Sequence, residues 1–377
     1  MHDFLSYLFY LLQRGLNLAL PAVVLAAVVL GTVWLIYRKN DRPFPWKKAF
    51  LILVLIGWLV LTLFVTLLRG EGNGFREWNF HLFLAWKEAW SQFTLKVWLN
   101  VLLNIALFMP LGFLLPLLAQ KFKNGLVMLI TGFGSSLLIE LTQLALGRGM
   151  FDVDDLFTNT LGAMLGWALI MVLITAVKRP NNWGKRACAY LALPLTFILA
   201  LALIFGGYAL KPYGNLSENY VVKADLANIQ WQIAFEPDDI SAEAYVYKVG
   251  RLDKTAAEAF AADLIPQGEE LIYGTLVCSL KEEDGVTYLQ RIANSMVVLE
   301  PYQEEAIISQ AQAIEKLQSG ESFYGDLMQY YEIEEAEILS CSLAWLSDTK
   351  GFYQPVYRFE LKQDGGNTTI DYVAALK

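Results

Sequence analysis

The chain has 377 residues, of which 56% are hydrophobic, with a mean hydropathy of +0.40 and a net charge of −8. An ordinary soluble enzyme has an apolar fraction of about 45–50%, so part of this chain belongs in lipid. The charge is also unevenly spread. Residues 1–210 hold 17 Lys/Arg against 9 Asp/Glu, and residues 211–377 hold 12 against 28, which joins a basic half to an acidic one.

Taken in chain order, Phe4–Leu12 is an aromatic, apolar segment suited to a membrane interface. Six stretches then have the length of about 20 residues needed to cross a hydrocarbon core: Leu16–Tyr37, Ala49–Leu68, Val97–Ala119, Gly125–Leu146, Leu156–Val177 and Ala187–Tyr208. The first is too long for a cleaved signal peptide and lacks a small-residue cleavage site. Between the second and third, Phe75–Leu95 is interrupted by Arg76, Glu77, Lys87 and Glu88 and is no span. Its tryptophans fit either an amphipathic element at the outer headgroup level or a folded loop packed on the bundle.

Orientation follows from the loops. One set of connections carries 11 Lys/Arg, from Arg38 to Arg186, and the other carries Arg14, Arg69, Arg76, Lys87, Lys96 and Arg148. The richer set is expected in the cytoplasm, which puts the N-terminus and everything after Tyr208 outside the cell. The architecture expected is an α-helical membrane bundle of six transmembrane helices over residues 1–210, followed by an acidic extracellular α+β domain over 211–377.

Glu140 is the only Asp, Glu, Lys, Arg or His inside the six spans. A charge at the bilayer centre costs about 2.5–3.5 kcal/mol on insertion scales, so an unpaired, lipid-facing carboxylate is disfavoured. At 1.5 Å per residue Glu140 lies roughly 9 Å below the outer end of its span, with Gln143 on nearly the same face. Asn104 in the third span falls roughly 10 Å below the same surface. The outer turn contributes Arg148, Asp152, Asp154 and Asp155, and Asn159 follows in the next helix. Such residues serve equally as interhelical hydrogen bonds, as caps of the fifth span by Asp154 or Asp155, or as an Arg148 pair with Glu140 or Asp152. Convergence of all of them at one depth points to a binding site.

The run Asn104-Ile105-Ala106-Leu107-Phe108-Met109-Pro110-Leu111-Gly112, then Glu140 and Gln143, Arg148, Asp152 and Asp155, Asn159 and Gly162-x-x-x-Gly166, resembles the VanZ-like family of bacterial membrane proteins over about residues 97–177. The resemblance implies an envelope membrane protein linked to tolerance of the glycopeptide teicoplanin, with Asn104, Glu140, Gln143, Arg148, Asp152, Asp155 and Asn159 as binding residues. It brings no catalytic mechanism and no cofactor. The partners implied are membrane lipids, a lipid-linked cell-wall precursor, a glycopeptide or an envelope protein.

In the acidic half, Ala256–Leu264 and Glu304–Leu317 read as helices, and Glu270–Leu280, Thr287–Leu299, Ala336–Leu346, Tyr353–Leu361 and Thr368–Ala374 as strands. Leu276–Leu280 is similar to Leu339–Leu343, which suggests two α+β repeats at about 240–300 and 301–377. The segments around Ala313–Gly320, Leu343–Leu346 and Gln354–Phe359 resemble extracellular modules of the YycI and PepSY kind, which bind and regulate. Nucleic acid is excluded as a partner by the charge of this half. With only His2 and His81 in the chain, a Ser-His-Asp triad or a His-rich metal site is disfavoured, and three widely spaced cysteines make no metal site. A pairing of Cys278 with Cys341 stays open. Two further readings remain: an enzyme in which one of Glu140, Asp152 and Asp155 is a general acid and another a base on a lipid-linked substrate, and a scaffold acting through its extracellular domain.

Overall fold

The computed structural model describes residues 20–21, 24–40, 43–68, 78–216, 229–249, 271–273, 276–283, 286–294, 297–322, 335–363, 366 and 368–377. Phe4–Leu12, the start of the first predicted span, Arg14, Arg69, Arg76 and the predicted helix Ala256–Leu264 lie outside them. The chain divides into two compact units: helices as far as Ala209, apart from Trp90–Phe93, and a second unit that is mostly sheet.

In the first unit residues 24–39 form helix α1. It is followed by α2 (Trp46–Leu63), which continues as a π-helical turn (Phe64–Leu68), then by α3 (Leu84–Gln92), α4 (Leu95–Leu118), α5 (Gly125–Leu146), α6 (Val153–Lys178) and α7 (Trp183–Leu210). Among the described residues five helices, α2 and α4 to α7, are long and apolar enough to cross a membrane. They correspond to the second to sixth of the expected spans, and of the first, Leu16–Tyr37, only part is described. Their ends follow local chemistry. Asn124 accepts from the amides of Leu126 and Val127 at the start of α5, and Gly147, at φ +61°, closes it in a left-handed conformation that glycine adopts without steric cost.

The α4–α6 pair is the most extensive helix contact. Gly162 and Gly166 of α6 lie against the Ile105 and Met109 carbonyls of α4, and Gly112 of α4 lies against the Ala163 carbonyl. A Cβ at these positions would stand 2.0, 2.0 and 1.8 Å from those oxygens, so only glycine permits the approach. Around this seam Phe108, Leu111, Met128, Ile139 and Ala163 form the core. Trp58 ties α2 to α4 by donating from Nε1 to the Leu107 carbonyl at 2.6 Å and by an edge contact with Phe108.

The aromatic segment before α4 is packed on the bundle in part: it contains the short helix α3, while Trp78 and Phe80 stay exposed. Its two-residue strand β1 (Trp78–Asn79) pairs in parallel with β2 (Phe151–Asp152), Trp78 opposite Phe151 and Asn79 opposite Asp152. In α3, Ala89 is fully buried, and Trp86 packs edge-on against Trp98.

The second unit contains β3 (Gln230–Ile233), β4 (Glu243–Val249), β5 (Leu271–Tyr273), β6 (Leu276–Glu283), β7 (Val286–Asn294), β8 (Val297–Ala306), α8 (Gln310–Gln318), β9 (Glu335–Ser347), β10 (Phe352–Gln363) and β11 (Thr368–Ala374). Seven strands make one sheet in the order β3-β9-β10-β4-β8-β5, with β11 also on β10. All neighbours are antiparallel except β3 and β9. Ala313, Ile314 and Leu317 of α8 pack on Ile338, Phe359, Leu361 and Val373 of the sheet. The expected helix Glu304–Leu317 is corrected at its start. Residues 304–306 belong to β8, where Ala306 pairs with Glu243, and the helix begins only at Gln310, after the N-cap Ser309, whose capping box is closed by Gln312. The hairpin β6–β7 forms its own sheet, so Leu276–Leu280 and Leu339–Leu343 occupy different settings. Cys341 carries a free thiol, pushed up to about 12 by burial.

Candidate functional site

α4, α5 and α6 bring a polar cluster together at the α5–α6 turn. On α5, Ser136 and Glu140 are one turn apart and share a face. On α6, Asp155 and Asn159 are likewise spaced by four residues. Glu140 is 2% exposed. Its Oε2 accepts from the Asp152 amide at 3.1 Å, and it feels the charges of Asp155 and Asp152. Asp155 Oδ1 accepts from Asn104 Nδ2 of α4 at 2.6 Å. Asn159 Nδ2 donates to Ser136 Oγ at 3.0 Å, and that hydroxyl donates to the Asp155 carbonyl at 3.4 Å. The buried Asn159 Oδ1 has no hydrogen-bond partner.

Asp152 links the cluster to the turn. As N-cap of α6 it accepts the Asp154 amide at 2.8 Å. Burial pushes its carboxyl up, against the opposing effect of the Asp154 amide and of a hydrogen bond to the Asn79 side chain.

Asp154, 1% exposed, faces the other way. Its carboxylate accepts the amides of Phe83 and Ala85, the latter at 2.6 Å, and so caps α3 from another part of the chain. Phe83 is held there at φ +66°, a left-handed conformation uncommon for a bulky residue. Thr158 donates to the Asp154 carbonyl.

Five of the seven sequence-derived residues, Asn104, Glu140, Asp152, Asp155 and Asn159, therefore converge. Two do not join them through the hydrogen bonds described above. Gln143 donates from Nε2 to the Thr66 carbonyl of the π-helical turn at 2.9 Å. Arg148 is exposed on the turn, where its backbone amide donates to the Gln143 carbonyl. Ser136 was missed as a member, and Asp154, placed in the turn as a possible cap of its own helix, takes the amides at the start of α3 instead. Ser136 was detectable as the residue one turn before Glu140, whereas nothing local to Asp154 announces α3 as its partner. Among the described residues no three His, Cys, Asp or Glu side chains are grouped to hold a metal ion. The cluster is rich in acceptors, and its chemical capacity is to bind a hydrogen-bond donor or to exchange a proton between carboxylates.

No curated protein matches the chain. Residues 49–174, roughly a third of its length, match the model of the VanZ/LLP1 family, a stretch that begins within α2, ends within α6 and contains every residue of the cluster. The chain therefore carries a VanZ/LLP1 family segment in its membrane-spanning part, where the candidate site lies.

Proposed function

We propose that the protein is a multi-pass component of the bacterial cell envelope whose outer-leaflet polar site binds an envelope amphiphile, and that it contributes in this way to glycopeptide tolerance. The observation that carries the reading is the burial of Glu140 between apolar spans, beside the half-buried Asp155. Placing carboxylates there is costly, and Asn104, Ser136, Asn159 and the Asp152 amide hold them in a fixed, acceptor-rich arrangement. An amphiphile whose polar end donates hydrogen bonds, through hydroxyl or ammonium groups, complements that arrangement. The acidic C-terminal domain would stand outside the cell and dock a wall component or protein partner, as its resemblance to YycI and PepSY modules implies. Cells producing Glu140→Gln or Asp155→Asn protein at the wild-type level are expected to lose the tolerance to teicoplanin that the wild-type protein gives. Tolerance unchanged in both variants contradicts this role.

A second reading is favoured by the proximity of Glu140, Asp152 and Asp155: acid–base chemistry on a lipid-linked envelope precursor. Turnover of such a precursor by the purified protein, abolished by Asp155→Asn, would establish it over simple binding.

A further inference from the structure

α2 and α5 make no extended contact along their lengths. Trp58 holds α2 to α4, and the π-helical turn reaches α5 at one end only, where Gln143 donates to Thr66. The wedge between them is a cavity of about 320 Å³, within the range of about 300–1,000 Å³ of ligand clefts. It is mostly apolar, lined by Leu55, Trp58, Phe108 and Leu111, with Ser135, Thr62 and Thr142 as its hydroxyl-bearing residues. Thr62 is seven residues from Leu55, about 10 Å along the helix. It is fully buried, yet its Oγ1 has no hydrogen-bond partner, a costly condition that an occupant with an acceptor oxygen would relieve.

We infer that this cavity takes one hydrocarbon chain of a bilayer amphiphile, entering sideways between α2 and α5 and presenting its ester or ether oxygen to the Thr62 hydroxyl. The inference rests on the amphiphile reading above and names the part of the molecule that the polar cluster does not hold. Three observations support this occupant. All three walls are candidate spans, so the matrix outside the cavity is hydrocarbon and not water. Two lining residues, Leu59 and Leu138, are 45% and 67% exposed, so the cavity wall continues into the lipid-facing surface. On α5, Ile139 lines the cavity while the next residue, Glu140, belongs to the polar cluster, so a single helix carries both surfaces. The π-helical turn that ties α2 to α5 is a backbone irregularity often found at functional sites.

The test uses the full chain in nanodiscs of phosphatidylglycerol and phosphatidylethanolamine, doped with a phosphatidylethanolamine that carries a diazirine midway along one acyl chain. After irradiation, peptide mass spectrometry is expected to find at least fivefold more adduct on residues 55–63 and 135–142 than around Leu195 and Leu199 of α7. Leu138→Trp, at an exposed position that accommodates the ring, should remove most of this excess without changing α7 labelling. Thr62→Val, which keeps the shape and removes the hydroxyl, should lower it at least twofold. Even labelling of α2, α5 and α7, or an excess that survives both substitutions, overturns the inference. Asp155→Asn separates the two readings. Localised adducts insensitive to it keep the chain cavity and remove the polar cluster as the head site, whereas lipid retention that depends on Asp155 with even labelling does the reverse.

Discussion

Asp154 and Asp155 are neighbours in sequence and serve different parts of the molecule. Asp155 turns inward to Asn104, while Asp154 takes two amides at the start of α3. Removing a buried acceptor leaves its donors unpaired at a cost of about 1–3 kcal/mol, so Asp154→Ala should loosen residues 78–92. Faster hydrogen exchange there, with α4 and α6 unaffected, is the expected result. A second buried carboxyl, Asp371 on β11, is pushed up to about 7 by burial, against a hydrogen bond from Ser322. Its proton is held more tightly in the folded domain than in the unfolded chain. The contribution of Asp371 to stability is therefore greatest below the ordinary carboxylate range, falls as pH rises from about 4 to 7, and then levels. The fall is about 4 kcal/mol, and Asp371→Asn should remove it. Protection factors of the β10 and β11 amides across that window measure the difference. At this scale Glu140 was readable because a lone charge in apolar spans is expensive, and Asn104 and Asn159 because helical rise fixes their depth. Arg148 was assigned to the site from its place in the outer turn and from the family resemblance, and it is exposed on that turn.

Among the elements, the α4–α6 seam depends on glycines whose missing side chains admit carbonyl oxygens. Gly166→Ala places a methyl on the Met109 carbonyl and forces the helices apart, a loss of about 1–3 kcal/mol by overpacking. Gly134→Ala, in the next helix with nothing within 4 Å of the added carbon, is the control. It should be neutral or stabilising by up to about 1 kcal/mol. Thermal unfolding of both proteins in the same detergent compares them. The spans were readable within a few residues because lipid demands long apolar runs, and Gly125–Leu146 coincides with α5. The sheet was less so. β3 and β4 escaped notice because a short strand takes its pattern from neighbours far away in the chain, here β9, β8 and β10. The start of α8 was misplaced because Ala306, Ile307 and Ile308 prolong an apolar pattern, although the Ser309–Gln312 pair already marked the boundary.

For the whole molecule, the charge of −8 is the sum of a basic helical half and an acidic sheet half. If the basic loops are cytoplasmic, an epitope tag placed after Lys377 is accessible to antibody in intact cells, and tags in the loops after α4 and α6 are not. The reverse pattern would put the sheet domain inside and the polar cluster in the inner leaflet. Whatever the orientation, buried carboxylates between spans either serve a ligand or only join helices. Native mass spectrometry of the full chain released from nanodiscs distinguishes these. Wild-type protein is expected to retain a lipid-sized mass that Asp155→Asn and Glu140→Gln both lose while remaining folded. The same adducts on all three proteins, or none on any, would mean that the cluster joins helices and binds no amphiphile.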